Sequence, residues 1–351
     1  REQRPAWQDQ DPGQGLSADL VIGGESIAPG ARVTIELPVP QLYTHTPLTM
    51  PVQVVRGRRD GPRLFVCAAV HGDELNGVEI IRRMLRRPAL ARLRGTLIAI
   101  PIVNVYGVLH HSRYLPDRRD LNRSFPGSER GSLTAKVAER FMTEIVANCT
   151  HGIDLHTAAN HRDNLPQIRG NLDDPETLAL ASSFGVPVLI NAAIRDGSLR
   201  AAAAELGIPT LLYEAGEPLR FAERAIRPGV QGILNVMRAL GMLAPSRRRR
   251  SGAEPFVARS SAWVRAPESG MFRCAKPLGA RVERGEPIGT IADPFGDAEI
   301  TVTADHSGLV IGRTQLPIVY EGDALFHVAR FEDVVEVAQH VEDFQAEHDD
   351  G

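Results

Sequence analysis

A chain of 351 residues exceeds one typical domain and points to a large domain with a smaller companion. Its hydrophobic fraction of 43% supports a sizeable core, and a formal net charge of -3 gives no reason to expect nucleic acid or an anionic membrane as partner. No stretch reaches the length of a membrane span, and the polar start lacks an apolar signal core, so a cytoplasmic setting is expected. Cys67, Cys149 and Cys274 are odd in number without paired spacing, and Cys67 and Cys149 read as reduced core residues.

In chain order, residues 1–18 read as a disordered segment and 19–62 as an accessory β segment, with short runs at 20–22, 33–35 and 52–55. Residues 63–243 then alternate. A buried strand at 64–70 precedes a helix at 77–87, with Val78, Ile81 and Leu85 on one face. A strand at 96–103, a helix at 133–148 and a short strand at 152–156 follow. The region closes with a strand at 186–191, a helix at 198–206, a strand at 209–213 and a helix at 221–240. Apolar strands alternating with helices predict an α/β domain around a largely parallel sheet.

Residues 244–253, including the run from Arg247 to Arg250, read as a solvated linker. Residues 254–330 are rich in glycine and short β runs. There Val264-Arg265-Ala266-Pro267-Glu268-Ser269-Gly270 is echoed by Val302-Thr303-Ala304-Asp305-His306-Ser307-Gly308, two halves able to pair into a small β barrel or sandwich. Residues 331–351 form an acidic tail, expected to be a helix with a frayed end.

Four motifs carry chemistry. His71-Gly72-Asp73-Glu74 lies where the first strong strand stops, and ligand sites collect beyond the carboxyl ends of strands in open α/β sheets. Alone, His-x-x-Glu is equally a helix start with favoured acids. Asp154-Leu155-His156-Thr157 ends a second apolar run and supplies a third ligand, completing a His₂Glu set suited to zinc. Asp120-Leu121-Asn122-Arg123 offers donors for a carboxylate, and Asp120 could accept the second ring N–H of a metal-bound histidine. Leu211-Leu212-Tyr213-Glu214-Ala215-Gly216-Glu217 is a buried strand ending in an acid. Glu214 is placed to move a proton between water and a leaving amine, with Glu217 the competing candidate.

In this order the motifs resemble the succinylglutamate desuccinylase/aspartoacylase family of the zinc carboxypeptidase clan, over about residues 63–243 and more loosely beyond. The resemblance implies a zinc-carboxypeptidase-like mixed, mainly parallel sheet with a C-terminal β domain of barrel-sandwich type. It implies one Zn2+ per chain on His71, Glu74 and His156, and Glu214 as the acid that activates water. Asn122 and Arg123 match the pair that grips the substrate carboxylate, Arg113 the arginine that polarises the scissile carbonyl with Arg118 as its rival, and Asp120 the partner of a zinc histidine. Cobalt, nickel or manganese could occupy the same ligands.

The expected activity is hydrolysis of a small N-acyl amino acid amide, without nucleic acid or membrane partners, and with a homo-oligomer left open. Arg195 and Arg200 are candidates for a second anion contact, and residues 161–164 and Tyr114 for pocket lining. A carboxypeptidase-like peptidase and an inactive metal-free binding protein are the competing readings. The C-terminal repeat also resembles lipoyl and biotinyl carriers, but the connection Asp293-Pro294-Phe295-Gly296-Asp297 lacks the lysine a carrier needs.

Overall fold

A computed structural model of the chain describes residues 20–159, 161–192, 195–246, 255–258 and 260–349. The expected disordered start at 1–18 and the arginine run of the linker lie outside the described residues.

One mixed sheet of thirteen strands organises the chain. Its centre is parallel, in the order Arg94–Ile100, Arg59–Ala68, His151–His156, Thr210–Gly216. These strands are apolar and β-branched, and almost every side chain beyond their first residues is buried, as a sheet covered on both faces demands. Alternation divides them between two cores. Leu64, Val66, Leu97, Ile153 and Leu155 face helices Asn76–Leu85, Pro175–Phe184 and Glu223–Ala239. Phe65, Cys67, Ile98 and Ile100 face helices Leu133–Glu144 and Leu199–Glu205.

Antiparallel strands flank this centre. Leu48–Arg56 pairs with Arg94–Ile100, and Arg32–Val39 pairs with Leu48–Arg56, so the early β segment extends the same sheet. On the other side Arg162–Gly170 runs antiparallel to Thr210–Gly216. The sequence reading omitted that strand because its residues are charged and polar around Pro166. They are buried there because the strand borders the site rather than solvent. Helix Pro175–Phe184, opened by Asp174 as N-cap and Pro175, was also omitted.

The C-terminal region is joined to this sheet. Gly308–Thr314 pairs with Arg162–Gly170 through Gly312↔Asn164, Arg313↔Asp163 and Thr314↔Arg162, and Phe256–Ala258 pairs with Val188–Asn191. A separate four-stranded sheet packs over it. The internal echo is structural: Val264, Ala266, Val302 and Ala304 occupy one core. Gly322 N donates to Ala266 O at 2.9 Å while Gly285 N donates to Ala304 O at 2.8 Å, so each copy's carbonyl accepts from a glycine turn at φ of 80–85°. The tail forms helix Val334–Asp349. Among the described residues no helix is long and apolar enough to cross a membrane.

Helix Asn76–Leu85 seats the first site motif, and Gly77 lets it approach the sheet: a Cβ there would stand 2.6 Å from Ala68 Cβ and 2.8 Å from Leu155 Cβ. Gly77→Val is expected to cost about 1–3 kcal/mol or more through overpacking, read as a lowered midpoint in urea unfolding.

Candidate metal centre and active site

The carboxyl ends of the parallel strands converge on a cavity of about 620 Å³. His71 and Glu74 follow strand Arg59–Ala68 in a turn closed by Glu74 N donating to His71 O at 3.1 Å. Gly72 presses that turn against residues 107–108, where any Cβ would fall within 2.0 Å of Gly107 C. His156 ends the neighbouring strand. The three side chains are buried, and one potential ligand atom from each lies within 4.8 Å of the others.

Glu74 lies between the two imidazoles, with Oε1 2.7 Å from His71 Nδ1 and Oε2 2.8 Å from His156 Nδ1. The far ring nitrogens have carboxylates of their own: His71 Nε2 lies 3.1 Å from Asp120 Oδ1, and His156 Nε2 lies 2.7 Å from Asp154 Oδ2. Both Nδ1 atoms thus turn inward while an outer acid sets each ring, the arrangement by which outer carboxylates orient metal-bound histidines. Asp120 matches its expected place. Asp154 was not singled out from sequence, although its spacing of two from His156 on a strand puts both on one sheet face.

The electrostatics point the same way. Burial opposes charge on both histidines, yet for His71 the Glu74 charge and the Asp120 contact outweigh it, and for His156 Asp154 and Glu74 do so, raising both pKa values. Burial likewise opposes ionisation of Glu74 and Asp120, but the facing histidines, with Arg113 beside Asp120, hold both well below the ordinary carboxylate range. A buried group of two imidazoles and three carboxylates that draws in protons is chemically suited to a divalent cation.

Arg113 donates to Glu74 Oε1 at 3.0 Å and to Asp120 Oδ2 at 3.1 Å and lines the cavity. Its loop is held by buried Asn104, which caps helix Val105–Leu109 through Gly107 N and donates to Arg113 O. Arg118 is exposed in a turn at φ 61° and takes no part in the cavity wall. Glu214 is the register partner of His156 on the adjacent strand. Its carboxylate lies 3.0 Å from Arg169 Nε and accepts from Asn164 Nδ2 at 3.0 Å. Glu217 pairs with Arg220 outside the cavity wall.

The other expected residues divide. Asn122 is buried, its Oδ1 accepting from Leu199 N at the start of helix Leu199–Glu205. Arg123, Arg195 and Arg200 all line the cavity, the first two exposed. Burial and the charge of Arg169 lower the Arg200 pKa below the usual guanidinium value. Arg162 and Asn164 line the cavity, whereas Asp163 turns away to Arg224 and Gln315. Tyr114 is exposed and outside the wall, a correction to the sequence reading: its loop is anchored through Arg113, which leaves the ring in solvent.

Ser261, Trp263 and His327 bring a wall from the C-terminal strands that sequence alone did not reveal. Trp263 stacks on His327 with centroids 4.5 Å apart and planes 9° apart, and the Arg162 guanidinium lies 5.0 Å from the Trp263 ring centre.

Residues 60–240 match the succinylglutamate desuccinylase/aspartoacylase catalytic domain. The chain belongs to this family, which places it among the deacylases. It is similar to the N-alpha-acetyl-L-2,4-diaminobutyric acid deacetylase of Halomonas elongata, at 27% identity over 80% of this chain and 85% of that one. A solved succinylglutamate desuccinylase/aspartoacylase from Rhodobacter sphaeroides superposes with a TM-score of 0.77 at 28% identity, over 86% of this chain and 96% of the other. The product-bound ectoine utilization protein EutE (DoeB) of Ruegeria pomeroyi shares the fold at a TM-score of 0.76 and 23% identity, over 85% and 94% of the two chains.

Removing the outer acid of His156 tests the centre: Asp154→Ala is expected to weaken zinc affinity about 10–100-fold, measured by competition with a chromophoric chelator. A second expectation concerns His327, whose pKa burial, Arg169, Arg162 and His306 push down to about 3. Its folded pKa lies below the unfolded value, so its contribution to stability falls as pH drops from about 6.5 towards 3. His327→Phe, which keeps a ring on Trp263, should lose less stability than wild type between about pH 6.5 and 4 in thermal melts.

Proposed function

We propose that the chain is a zinc-dependent amidohydrolase that removes the acyl group from an N-acyl amino acid. The observation that carries this reading is the buried cluster of His71, Glu74 and His156 at the sheet's carboxyl end, with Glu214 in register beside His156. Those three residues would hold the ion through nitrogen and carboxylate donors, Asp120 and Asp154 fixing the rings. When bound, the ion supplies Lewis acidity toward the acyl oxygen and lowers the pKa of water.

The remaining work falls to the protein's own groups. Glu214 accepts the proton of the attacking water and returns it to the departing nitrogen, and the Arg169 and Asn164 contacts fix the direction of its carboxylate. Arg113 offers guanidinium N–H groups where negative charge develops on the acyl oxygen. Arg123, Arg195 and Arg200 on the cavity wall suit an anionic substrate, and the amino acid carboxylate is the group such forks bind best. An acylated amino acid is also what the named Halomonas elongata relative deacetylates. Trp263 and His327 add a stacked pair to the wall of a cavity of about 620 Å³, a size that suits a small amide better than an extended peptide.

Metal analysis of the purified protein should give about one zinc per chain, lost in a His71→Ala, His156→Ala double variant. With N-acetyl and N-succinyl amino acids as substrates, Glu214→Gln should keep its metal while kcat falls about 10²–10⁴-fold. A Glu214→Gln protein with undiminished turnover would remove Glu214 from the chemistry, and wild type that takes up no metal would end the hydrolase reading.

A further inference from the structure

The opposite end of the sheet holds a second and larger concavity, of about 1120 Å³. It opens at the amino ends of strands Arg59–Ala68 and Arg94–Ile100, whereas the catalytic cavity lies beyond the carboxyl ends. At about 3.3 Å per residue the first of these strands alone separates the two by roughly 30 Å. Nine of the 23 described residues lining this groove are arginine and none of those 23 is acidic.

Composition does not require such a bias, because the chain carries 43 acidic residues against 40 basic ones. Arginines elsewhere find acids. Arg82 and Arg83, one helical turn before the groove, are held by Glu79, and Arg83 also by Glu223. Three of the groove arginines are braced on neutral acceptors instead. Arg32 donates to Gln53 Oε1 and Leu85 O, Arg94 to Asp60 O, and Arg238 to Asn235 Oδ1. Arg58, Arg59, Arg86, Arg87, Arg92 and Arg94 are exposed around the opening. Its floor is apolar, with Leu90, Leu93, Met242 and Leu243 buried beneath the guanidinium groups. Among the described residues the wall ends at Pro245.

Crowded guanidinium groups repel one another within the screening length of about 8 Å. An anion carrying several oxygens and several charges converts that repulsion into attraction, each guanidinium presenting a fork that matches two phosphate oxygens. A single carboxylate or monovalent anion satisfies only one or two of nine such groups. The volume lies just above the usual range of small-molecule sites, about 300–1,000 Å³, and the apolar floor offers a flat surface beside the charges.

We propose that this groove binds an oligophosphate, either a nucleoside polyphosphate or an inorganic phosphate chain, at a site separate from the catalytic cavity. Calorimetric titration of the full-length protein with sodium tripolyphosphate and with ATP tests it. The expected result is a Kd below about 100 µM at low salt, weakening as ionic strength rises. The triple variant Arg58→Ser, Arg87→Ser, Arg92→Ser should bind at least about tenfold more weakly, equal to about 1.4 kcal/mol. A control carrying Arg273→Ser, Arg281→Ser and Arg284→Ser on the C-terminal domain should bind as wild type. Circular dichroism melts of both variants check that the fold is kept.

Tighter binding of ATP than of tripolyphosphate would assign the ligand as a nucleotide using the apolar floor, and equal binding would assign a bare phosphate chain. The proposal is overturned if neither probe binds up to about 1 mM, or if the control variant loses as much affinity as the groove variant. It is equally overturned if a 12-nucleotide single-stranded RNA binds while both oligophosphates fail.

Discussion

The carboxylate of Glu74, enclosed between the rings of His71 and His156, is the contact on which the active end of the molecule is built. An ionised acid at 2% exposure is tolerable only when every oxygen has a charged or hydrogen-bonding partner. Here the two imidazoles, the Arg113 guanidinium and the Thr157 amide supply them. Each partner in turn fixes something else. The imidazoles are set by Asp120 and Asp154, and Asp120 receives the Asn122 amide that begins the next turn. One buried charge thereby specifies the relative position of two strand ends, a helix start and a loop.

The same demand constrains the backbone nearby. Gly72 and Gly77 sit where any side chain would collide, so the turn carrying His71 and Glu74 is pressed against both the sheet and residues 107–108. Asn76, buried at the start of its helix, donates to Ala215 O and accepts from Ala222 N. It ties the turn that carries His71 and Glu74 to the strand end that bears Glu214. The second concavity, on the far end of the same strands, obeys a different rule, since most of its arginines lie exposed at the opening and none of the described residues lining it is acidic.

Much of this was readable in the chain, and what was not has physical reasons. The apolar runs at 64–70, 96–103 and 152–156 are buried on both faces, and such strands advertise themselves. The residues His71, Glu74 and His156 stand out in the sequence at strand ends, and the fold brings them together. Arg162–Gly170 gave no such signal: its polar residues are buried by partners distant in sequence, and alternation fails where a strand borders a site on one face and a domain junction at its end. Arg169, Trp263 and His327 were hidden for the same reason, since only the folded sheet brings Arg169 to Glu214 and the other two to the cavity wall. The arginine groove was invisible to net charge, which averages over surfaces that the fold separates.

The junction between Arg162–Gly170 and Gly308–Thr314 is a strand pairing, not a loop contact. The strand that carries Asn164 and Arg169 toward Glu214 is hydrogen-bonded along one edge to the catalytic strands and at its start to the strand beside His327. Floor and wall of the cavity are thus cut from one continuous sheet, not from two bodies hinged at a linker. Chimeras between relatives would be constrained accordingly. Exchanging the C-terminal module alone leaves a bare pairing edge wherever the incoming strand fails to meet residues 162–164 in register, so wall and floor are inherited together.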